Sequence, residues 1–296
     1  MQLATREKID NAAKLLFRMT GLMVIAILAG ILLMLLWNTA AFFLKVKPFD
    51  FITGTQWNPS GSPAIYGMLP LLVSTSLVTF GAMCIAIPLG IGTASFLSDY
   101  AGKKLKSILK PAIEMLASVP SVAIGFLGIV VLGPGIAGMT GQSNGLNALN
   151  GAILLAIMSL PTIITVTQDA LEGVPNAYKE ASYSVGANRW QTLILVTIPA
   201  AAPGILAAIM LGVGRAIGET MTVLMATGNV SAFPKGFFHS VRTMTATIAI
   251  EMGEVPYQTT HYYGLFAIAA VLFLMTLLVN VVGEYFVNKY RKYQAA

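Results

Sequence analysis

Residues 193–226 read LILVTIPAAAPGILAAIMLGVGRAIGETMTVLMA and contain only two charged side chains, Arg215 and Glu219. The hydrocarbon core of a bilayer is about 30 Å thick, and a helix of roughly 20 apolar residues can cross it. This stretch is long enough and apolar enough to form such a helix. Soluble domains carry about 25% charged residues, whereas this chain carries 10% and has a mean hydropathy of +0.76. The sequence therefore predicts an integral membrane protein.

Further apolar segments on both sides of this stretch predict an all-α membrane protein with six transmembrane helices. Prolines interrupt several segments, and such breaks persist in lipid where neighbouring helices satisfy the freed backbone groups. Small residues such as Gly90, Gly204 and Gly212 let helices approach closely. We therefore expect a packed bundle. The predicted spans are residues 20–44, 69–97, 112–139, 148–168, 193–226 and 263–287, and the prolines are Pro88, Pro120, Pro161, Pro199 and Pro203.

Lysine and arginine residues are divided unequally between the two sides of the predicted bundle, thirteen against four. Cytoplasmic loops carry the excess of basic residues, so the sequence predicts a multi-pass protein of the cytoplasmic membrane with both termini in the cytoplasm. The net charge of +6 lies in these loops and does not indicate a nucleic-acid partner. The larger set is Arg6, Lys8, Lys14, Arg18, Lys103, Lys104, Lys106, Lys110, Lys179, Arg189, Lys289, Arg291 and Lys292; the smaller is Lys45, Lys47, Lys235 and Arg242.

The predicted cytoplasmic loop at residues 169–192 is polar and reads as helix, turn, helix. It contains Glu180-Ala181-Ser182, then Gly186 four residues on, and Pro199 follows it. Small residues at two successive positions would let a partner surface approach one face of the first helix. Gly186 permits the turn that ends this helix, and Pro199 fits near the beginning of the next one.

This pattern resembles the EAA signature of ABC-importer permeases. The resemblance implies the type I importer permease (MetI-like) fold, in which a short coupling helix sits in a cleft of an ATPase subunit. The residues that it assigns to coupling are Glu180, Ala181, Ser182, Gly186 and Pro199. On this basis residues 1–65 are a cytoplasmic lead-in, the first span and the first outer loop, residues 66–287 are the permease core with its coupling loop at 169–199, and residues 288–296 are a cytoplasmic tail.

Arg215 and Glu219 cost free energy inside a membrane. Their spacing of four places them on one face of a continuous helix, where they could form an ion pair. A purely structural ion pair is one hypothesis. The other is that Arg215 faces an anion pathway, with Glu219 holding it when the anion is absent. A guanidinium suits phosphate because it can donate two parallel hydrogen bonds.

Residues 215–221, RAIGETM, also resemble the fifth-span signature of phosphate-specific transport permeases, and residues 241–254, VRTMTATIAIEMGE, resemble the outer loop of their PstC-type subunit. The apolar stretch 237–252 predicts a short helix at or in the membrane there. The resemblance places Arg215, Glu219 and Thr220 in the substrate pathway. It also makes five outer-loop residues candidates for a gate or for contact with a binding protein: Arg242, Thr243, Thr245, Glu251 and Glu254.

The same resemblance implies a complex that imports phosphate. Its other members would be a PstA-like permease, an ATPase dimer and a phosphate-binding protein that is periplasmic or lipid-anchored. The chain has no G-x-x-x-x-G-K-[ST] motif, because Leu97 stands where the first glycine is needed before Gly102-Lys103. We therefore expect a translocation subunit, not an enzyme, with no cofactor of its own and with ATP and Mg²⁺ in the separate ATPase.

Other functions fit the sequence less well. An intramembrane protease needs paired aspartates in its spans, an H-E-x-x-H motif, or a serine elbow with a buried histidine, and the sequence has none of these. His239 and His261 are too far apart in sequence to predict a metal site. A permease for sulfate or molybdate remains an alternative, as does a secondary transporter or channel.

Overall fold

The computed structural model describes the backbone of residues 2–295 and the side chains of residues 13–290. Within these residues six helical segments are long and apolar enough to cross a membrane, which confirms the predicted number. They are span 1 (Ala13–Phe43), span 2 (Leu69–Tyr100), span 3 (Ser121–Thr140), span 4 (Ala148–Glu172), span 5 (Arg189–Gly218) and span 6 (Thr260–Tyr290).

Several spans consist of more than one helical element, and short elements connect them. A two-stranded antiparallel hairpin, on the side predicted to face outward, pairs Trp57 with Tyr66. Single π-helical turns at Phe96–Tyr100, Gly128–Leu132 and Leu193–Thr197 lie inside spans 2, 3 and 5. The elements are α1 (Gln2–Phe43), α2 (Pro48–Thr53), β1 (Trp57–Asn58), β2 (Ile65–Tyr66), α3 (Leu69–Ser95), α4 (Lys103–Ala117), α5 (Ser121–Leu127), α6 (Gly133–Thr140), α7 (Ala148–Glu172), α8 (Asn176–Ser184), α9 (Arg189–Thr192), α10 (Ile198–Gly218), α11 (Met221–Ala226), α12 (Met244–Glu251) and α13 (Thr260–Ala295).

The centre of the bundle is formed by α3, α7 and α10, which pack closely against one another. Ile163 of α7 is fully buried between glycines of the other two helices. A methyl group on Gly90 would come within 2.6 Å of Ile163 Cγ2, and one on Gly212 within 2.8 Å of Ile163 Cδ1. The predicted role of these small residues in close helix packing is therefore confirmed.

A second core lies at the outer end of the bundle and is rich in aromatic residues. Phe42, Phe51 and Trp57 are buried there with residues of α3, α12 and α13. The rings of Phe42 and Phe51 meet edge to face with centroids 5.1 Å apart, and the ring of Trp57 meets that of Tyr66 in the same way at 5.9 Å, an arrangement that aromatic rings prefer. This core fixes the hairpin and α12 over the outer end of spans 2 and 6.

The third span begins at Ser121 and not at residue 112. Residues 103–117 form the separate helix α4, in which no residue is buried. Pro120 then adopts an extended backbone, with ψ at 134°, and this conformation prevents one continuous helix across the segment. The predicted span 112–139 includes the end of α4 because that prediction rests on apolar content alone.

The fifth span ends at Gly218 and not at residue 226. Glu219 has φ −68° and ψ 133°, which is extended backbone, and the chain resumes helical structure only at Met221. Irregular backbone at membrane depth is tolerated where it is buried in protein or lines a water-filled cavity. The interruption of the helix at Glu219 therefore requires either protein contacts or a water-filled cavity around it.

The short outer helix is Met244–Glu251, not the whole of residues 237–252. The segment before this helix binds the start of α7. The carbonyl oxygens of Phe237 and His239 accept hydrogen bonds from the backbone N–H groups of Leu149 and Ala148, at 2.8 and 3.1 Å. These N–H groups at the start of α7 have no partner inside their own helix, so the outer loop caps span 4.

Candidate functional site

The loop between spans 4 and 5 folds as the predicted helix, turn and helix. Gly186 lies just beyond α8 with φ +87°, a conformation that costs non-glycine residues free energy. Its N–H donates to Tyr183 O at 3.0 Å, and the N–H of Ala187 donates to Ser182 O at 3.2 Å. This pair of bonds is the Schellman motif, which satisfies the last carbonyl groups of a helix.

The residues of the EAA-like pattern lie on an open surface. Glu180, Ala181 and Gly186 are exposed, whereas Ser182 is half-buried and its Oγ lies 2.9 Å from Thr192 Oγ1. Large apolar side chains are exposed around them, and Val185 reaches 84% exposure. An exposed apolar patch of this kind is typical of a protein interface. The other apolar members of this patch are Tyr178, Tyr183 and Trp190.

Pro199 is the second residue of α10, near the beginning of that helix as predicted, but span 5, of which α10 is a part, already begins at Arg189. Asn188 and Gln191 form a capping box, in which each side chain binds the other's backbone N–H, so the helix already begins at Arg189. Proline has no N–H group and its ring crowds the preceding turn. The π-helical turn Leu193–Thr197 directly before it is wider than an α-turn, and we attribute the continuation of the helix through Pro199 to this widening.

Ion pairs connect the loop between spans 4 and 5 to its neighbours. Lys179 Nζ of α8 lies 2.6 Å from Asp99 Oδ1 at the end of span 2, and the two side chains are only 18% and 17% exposed. Lys106 of α4 pairs with Glu172 at the end of α7. No local pattern predicts these partners, because opposite charges in separate loops have no fixed spacing. The pair at Lys179 joins α8 to the end of span 2.

Arg215 and Glu219 do not form the predicted ion pair. Arg215 lies in the last turn of α10 and is exposed, and within the described side chains it has no hydrogen bond or ion pair. An i, i+4 pair needs a continuous helix, and α10 ends between the two residues. The half-buried Glu219 instead faces Thr222, whose N and Oγ1 both lie 3.4 Å from its Oε1.

The break after α10 meets the outer loop at a set of buried hydroxyl groups, here called the threonine junction: Thr75, Thr243 and Thr245. Thr245 Oγ1 donates to the carbonyl oxygen of Glu219 at 2.8 Å and lies 3.1 Å from Thr243 Oγ1. The N–H of Met244 donates to Thr75 Oγ1 at 3.0 Å. Residues of two separately predicted groups therefore meet here, and the half-buried Thr220 directly follows Glu219 in the chain.

The remaining outer-loop candidates lie in a second group, here called the outer cluster: Trp57, Arg242, Glu251 and His261. Arg242 Nη1 donates to Glu251 Oε1 at 2.9 Å, and its Nε donates to the carbonyl oxygen of Asn229 at 2.9 Å. His261 Nε2 lies 2.8 Å from Glu251 Oε2, and Trp57 Nε1 donates to both carboxylate oxygens at 3.2 and 3.1 Å.

The outer cluster lines one cleft together with the exposed Glu254. Sequence reasoning predicted Arg242, Glu251 and Glu254 but missed Trp57 and His261. Trp57 and Glu251 are 194 positions apart, and no local pattern joins them. Among the described side chains, no three His, Cys, Asp or Glu groups are placed to hold a metal ion.

Comparisons with known proteins agree with this architecture. Residues 86–292 match the family described as "Binding-protein-dependent transport system inner membrane component". A probable ABC transporter permease protein, YqgH of Bacillus subtilis, is 39% identical over 233 residues, which cover 79% of this chain and 75% of the relative. The phosphate transport system permease protein PstC of Mesorhizobium japonicum is 32% identical over 90% of this chain and 86% of its own length.

Solved structures show the same fold at low sequence identity. A bacterial ABC transporter involved in alginate import matches with a TM-score of 0.65 and 14% identity over 98% of this chain and 99% of that chain. An inward-facing structure of the MetNI methionine transporter matches with a TM-score of 0.56 and 20% identity over 76% of this chain and 94% of that one. The type I importer permease fold is thus confirmed, and the chain belongs to the family of binding-protein-dependent transport system inner membrane components, with PstC-type permeases among its relatives.

Proposed function

We propose that this chain is a channel-forming permease subunit of an ATP-driven importer of inorganic phosphate. Its similarity to PstC of M. japonicum, over 90% of the chain, supports phosphate over sulfate or molybdate. Membership of a binding-protein-dependent transport family supports an ABC importer over a secondary transporter or channel. Two permeases would form one pathway, this chain and a PstA-like partner.

The observation that carries the proposal is that Arg215 is exposed and has no partner among the described side chains. An unpaired guanidinium in a span is costly against lipid and is accommodated where it faces water or another protein. The partial negative charge at the end of α10 stabilises a cation in its last turn, so Arg215 stays in place without a carboxylate partner. Its donors are therefore available to an anion that passes between the two permeases.

The exposed surface of α8 is the proposed contact with the ATPase. Glu180, Ala181 and Gly186 lie on this surface beside apolar side chains, which supports docking of a protein partner. The ion pair between Lys179 and Asp99 would pass its movement to span 2. ATP and Mg²⁺ would be bound by the separate ATPase dimer.

The proposed orientation follows the thirteen-to-four division of basic residues, with α8 and both termini on the cytoplasmic side. The outer cluster and its cleft then face the phosphate-binding protein. The threonine junction lies between that cleft and the break beside Arg215. It would transmit the docking of the binding protein to the pathway.

Replacement of Arg215 tests the proposal. Arg215→Gln should insert and assemble normally, because it leaves no carboxylate unpaired. Labelled-phosphate uptake should fall roughly tenfold or more, the effect of losing a hydrogen bond to a charged group. Arg215→Lys should retain an intermediate rate because a point charge lacks the bidentate geometry.

The measurement uses cells without other phosphate importers and is normalised to assembled complex. Arg18→Gln, which removes an exposed charge near the beginning of span 1, is the matched control and should keep the native rate. Excess unlabelled phosphate should compete with uptake, whereas sulfate and molybdate should not. Native uptake by Arg215→Gln would exclude the pathway role, and competition by sulfate would exclude phosphate specificity.

A further inference from the structure

The helix α4 has three distinct faces. One packs against α7 through Leu109 and Ile113, which join the core at that end of the bundle. Lys110 Nζ, near this face, lies 3.7 Å from Asp169 Oδ1 of α7, and Lys106 pairs with Glu172. These contacts hold α4 beside the end of span 4. They leave the rest of its circumference uncovered, and no residue of α4 is buried.

The second face is an exposed apolar stripe. Ile108 and Met115 are 60% and 66% exposed, and Leu105 and Leu116 are 42% and 45% exposed. At 100° per residue these four side chains fall within about a third of the helix circumference. The helix lies between Tyr100, where span 2 ends, and Ser121, where span 3 begins. The stripe is therefore at the level where spanning helices leave the bilayer.

The third face is basic. Lys103 and Lys104 are exposed and have no ion pair among the described side chains. Lys103 also lines a shallow cleft with Lys106, Ser107, Lys110 and Glu114. Glu114 is the one acidic residue in the helix sequence. Two exposed lysines without a carboxylate partner among the described side chains therefore lie on this face, since Lys106 and Lys110 are paired with Glu172 and Asp169.

We propose that α4 lies in the plane of the membrane surface and binds anionic phospholipid headgroups. A helix with an apolar face and lysines beside it settles at the boundary between headgroups and acyl chains. Lysines at such a position are attracted to the anionic lipids of the cytoplasmic leaflet. Under the orientation proposed above this is the leaflet that α4 meets, although contact with lipid does not depend on the transported substrate.

The first experiment measures lipid preference. The purified complex that contains the full chain is mixed with phosphatidylglycerol and phosphatidylcholine, and the bound lipids are counted by native mass spectrometry. The double variant Lys103→Gln with Lys104→Gln should lose roughly tenfold in preference for phosphatidylglycerol. Both lysines are exposed, so folding should be unaffected. The control Lys47→Gln with Lys235→Gln removes two exposed charges on the opposite side and should keep the wild-type preference.

The second experiment measures whether the apolar stripe of α4 lies in lipid or in water. With Cys84 replaced by alanine, single cysteines at Ile108 and Ser107 receive spin labels, and the complex is placed in vesicles that contain phosphatidylglycerol. The label at 108 should be reached by oxygen, which concentrates in lipid, and the label at 107 by a water-soluble nickel reagent. An unchanged lipid preference in the lysine double variant would overturn the proposal. So would a label at 108 that neither reagent reaches, because a protein partner would then cover the stripe.

Discussion

Glu251 accepts hydrogen bonds or an ion pair from three side chains of the outer cluster and is itself 14% exposed. Glu251→Ala should leave Nη1 of the half-buried Arg242 and Nε1 of the buried Trp57 without their acceptor. We expect a loss of about 2–3 kcal/mol, which is typical of a hydrogen bond to a charged group with its partner left unsatisfied. Thermal unfolding of the purified complex measures this loss.

Glu254→Ala is the matched control, since Glu254 is an exposed carboxylate in the same cleft. An exposed side chain away from any network changes stability by no more than about 0.5 kcal/mol. Equal unfolding midpoints for the two variants would show that the outer cluster does not stabilise the outer end of the molecule.

The residue-scale predictions from sequence had mixed success for a physical reason. Arg215 was singled out correctly as an unusual charge in a span, because composition alone reveals it. Its pairing with Glu219 was wrong, because pairing depends on the backbone between them. The sequence has 28 glycines, and nothing local marks Gly218 as the one where a helix stops.

At the scale of single elements, the turn after α8 depends on its left-handed glycine. Gly186→Leu should cost about 1–2 kcal/mol, the penalty for this backbone conformation in residues with a side chain. We expect normal insertion and a several-fold fall in phosphate uptake, because the surface of α8 is no longer held in position. Gly186→Asn should keep most of the uptake, since asparagine tolerates this conformation.

Gly102→Leu is the control for Gly186→Leu, because it adds the same side chain to another loop on the predicted cytoplasmic side. Gly102 has a negative φ, and a side chain there would meet no atom within 4 Å. Native uptake by Gly186→Leu would contradict the proposed coupling role. A loss in Gly186→Asn as large as that in Gly186→Leu would show that side-chain bulk, and not backbone conformation, is what matters.

Close packing of α3 on α7 gives a second prediction for an element. Gly90→Leu should force its side chain into Ile163, and overpacking of this kind costs about 1–3 kcal/mol. Gly92 lies half a turn away, where an added side chain would meet nothing within 4 Å. Gly92→Leu should therefore accumulate at the wild-type level in membranes, whereas Gly90→Leu should not. Immunoblots of membrane fractions make the comparison, and equal levels would contradict it.

Elements were predictable where the deciding chemistry is local. The turn at Gly186 and the six apolar segments can be read from composition and spacing. The end of span 5 and the division of residues 112–139 could not, because apolar content is the same in a spanning helix and in a surface helix such as α4. Pro120 marks that boundary, but prolines also lie inside helices at Pro88 and Pro161.

At the scale of the whole molecule, the division of basic residues predicts the orientation. With Cys84 replaced, a cysteine at Lys104 or Asn288 should react only with reagents that cross the membrane. A cysteine at Lys235 should react from outside the cell. All three positions are exposed, so a failure to react reports topology rather than burial. Labelling at Lys104 by an impermeant reagent in intact cells would reverse the orientation.

The outer cluster has a mechanical consequence. One carboxylate connects β1, the loop before α12, α12 and the start of α13, and the aromatic core beneath them adds a second set of contacts. We expect these segments to move as one rigid body when the outer side opens or closes. The extended residue Glu219, between α10 and α11, then acts as the hinge, and the hydrogen bond from Thr245 Oγ1 to its carbonyl oxygen connects the hinge to these segments.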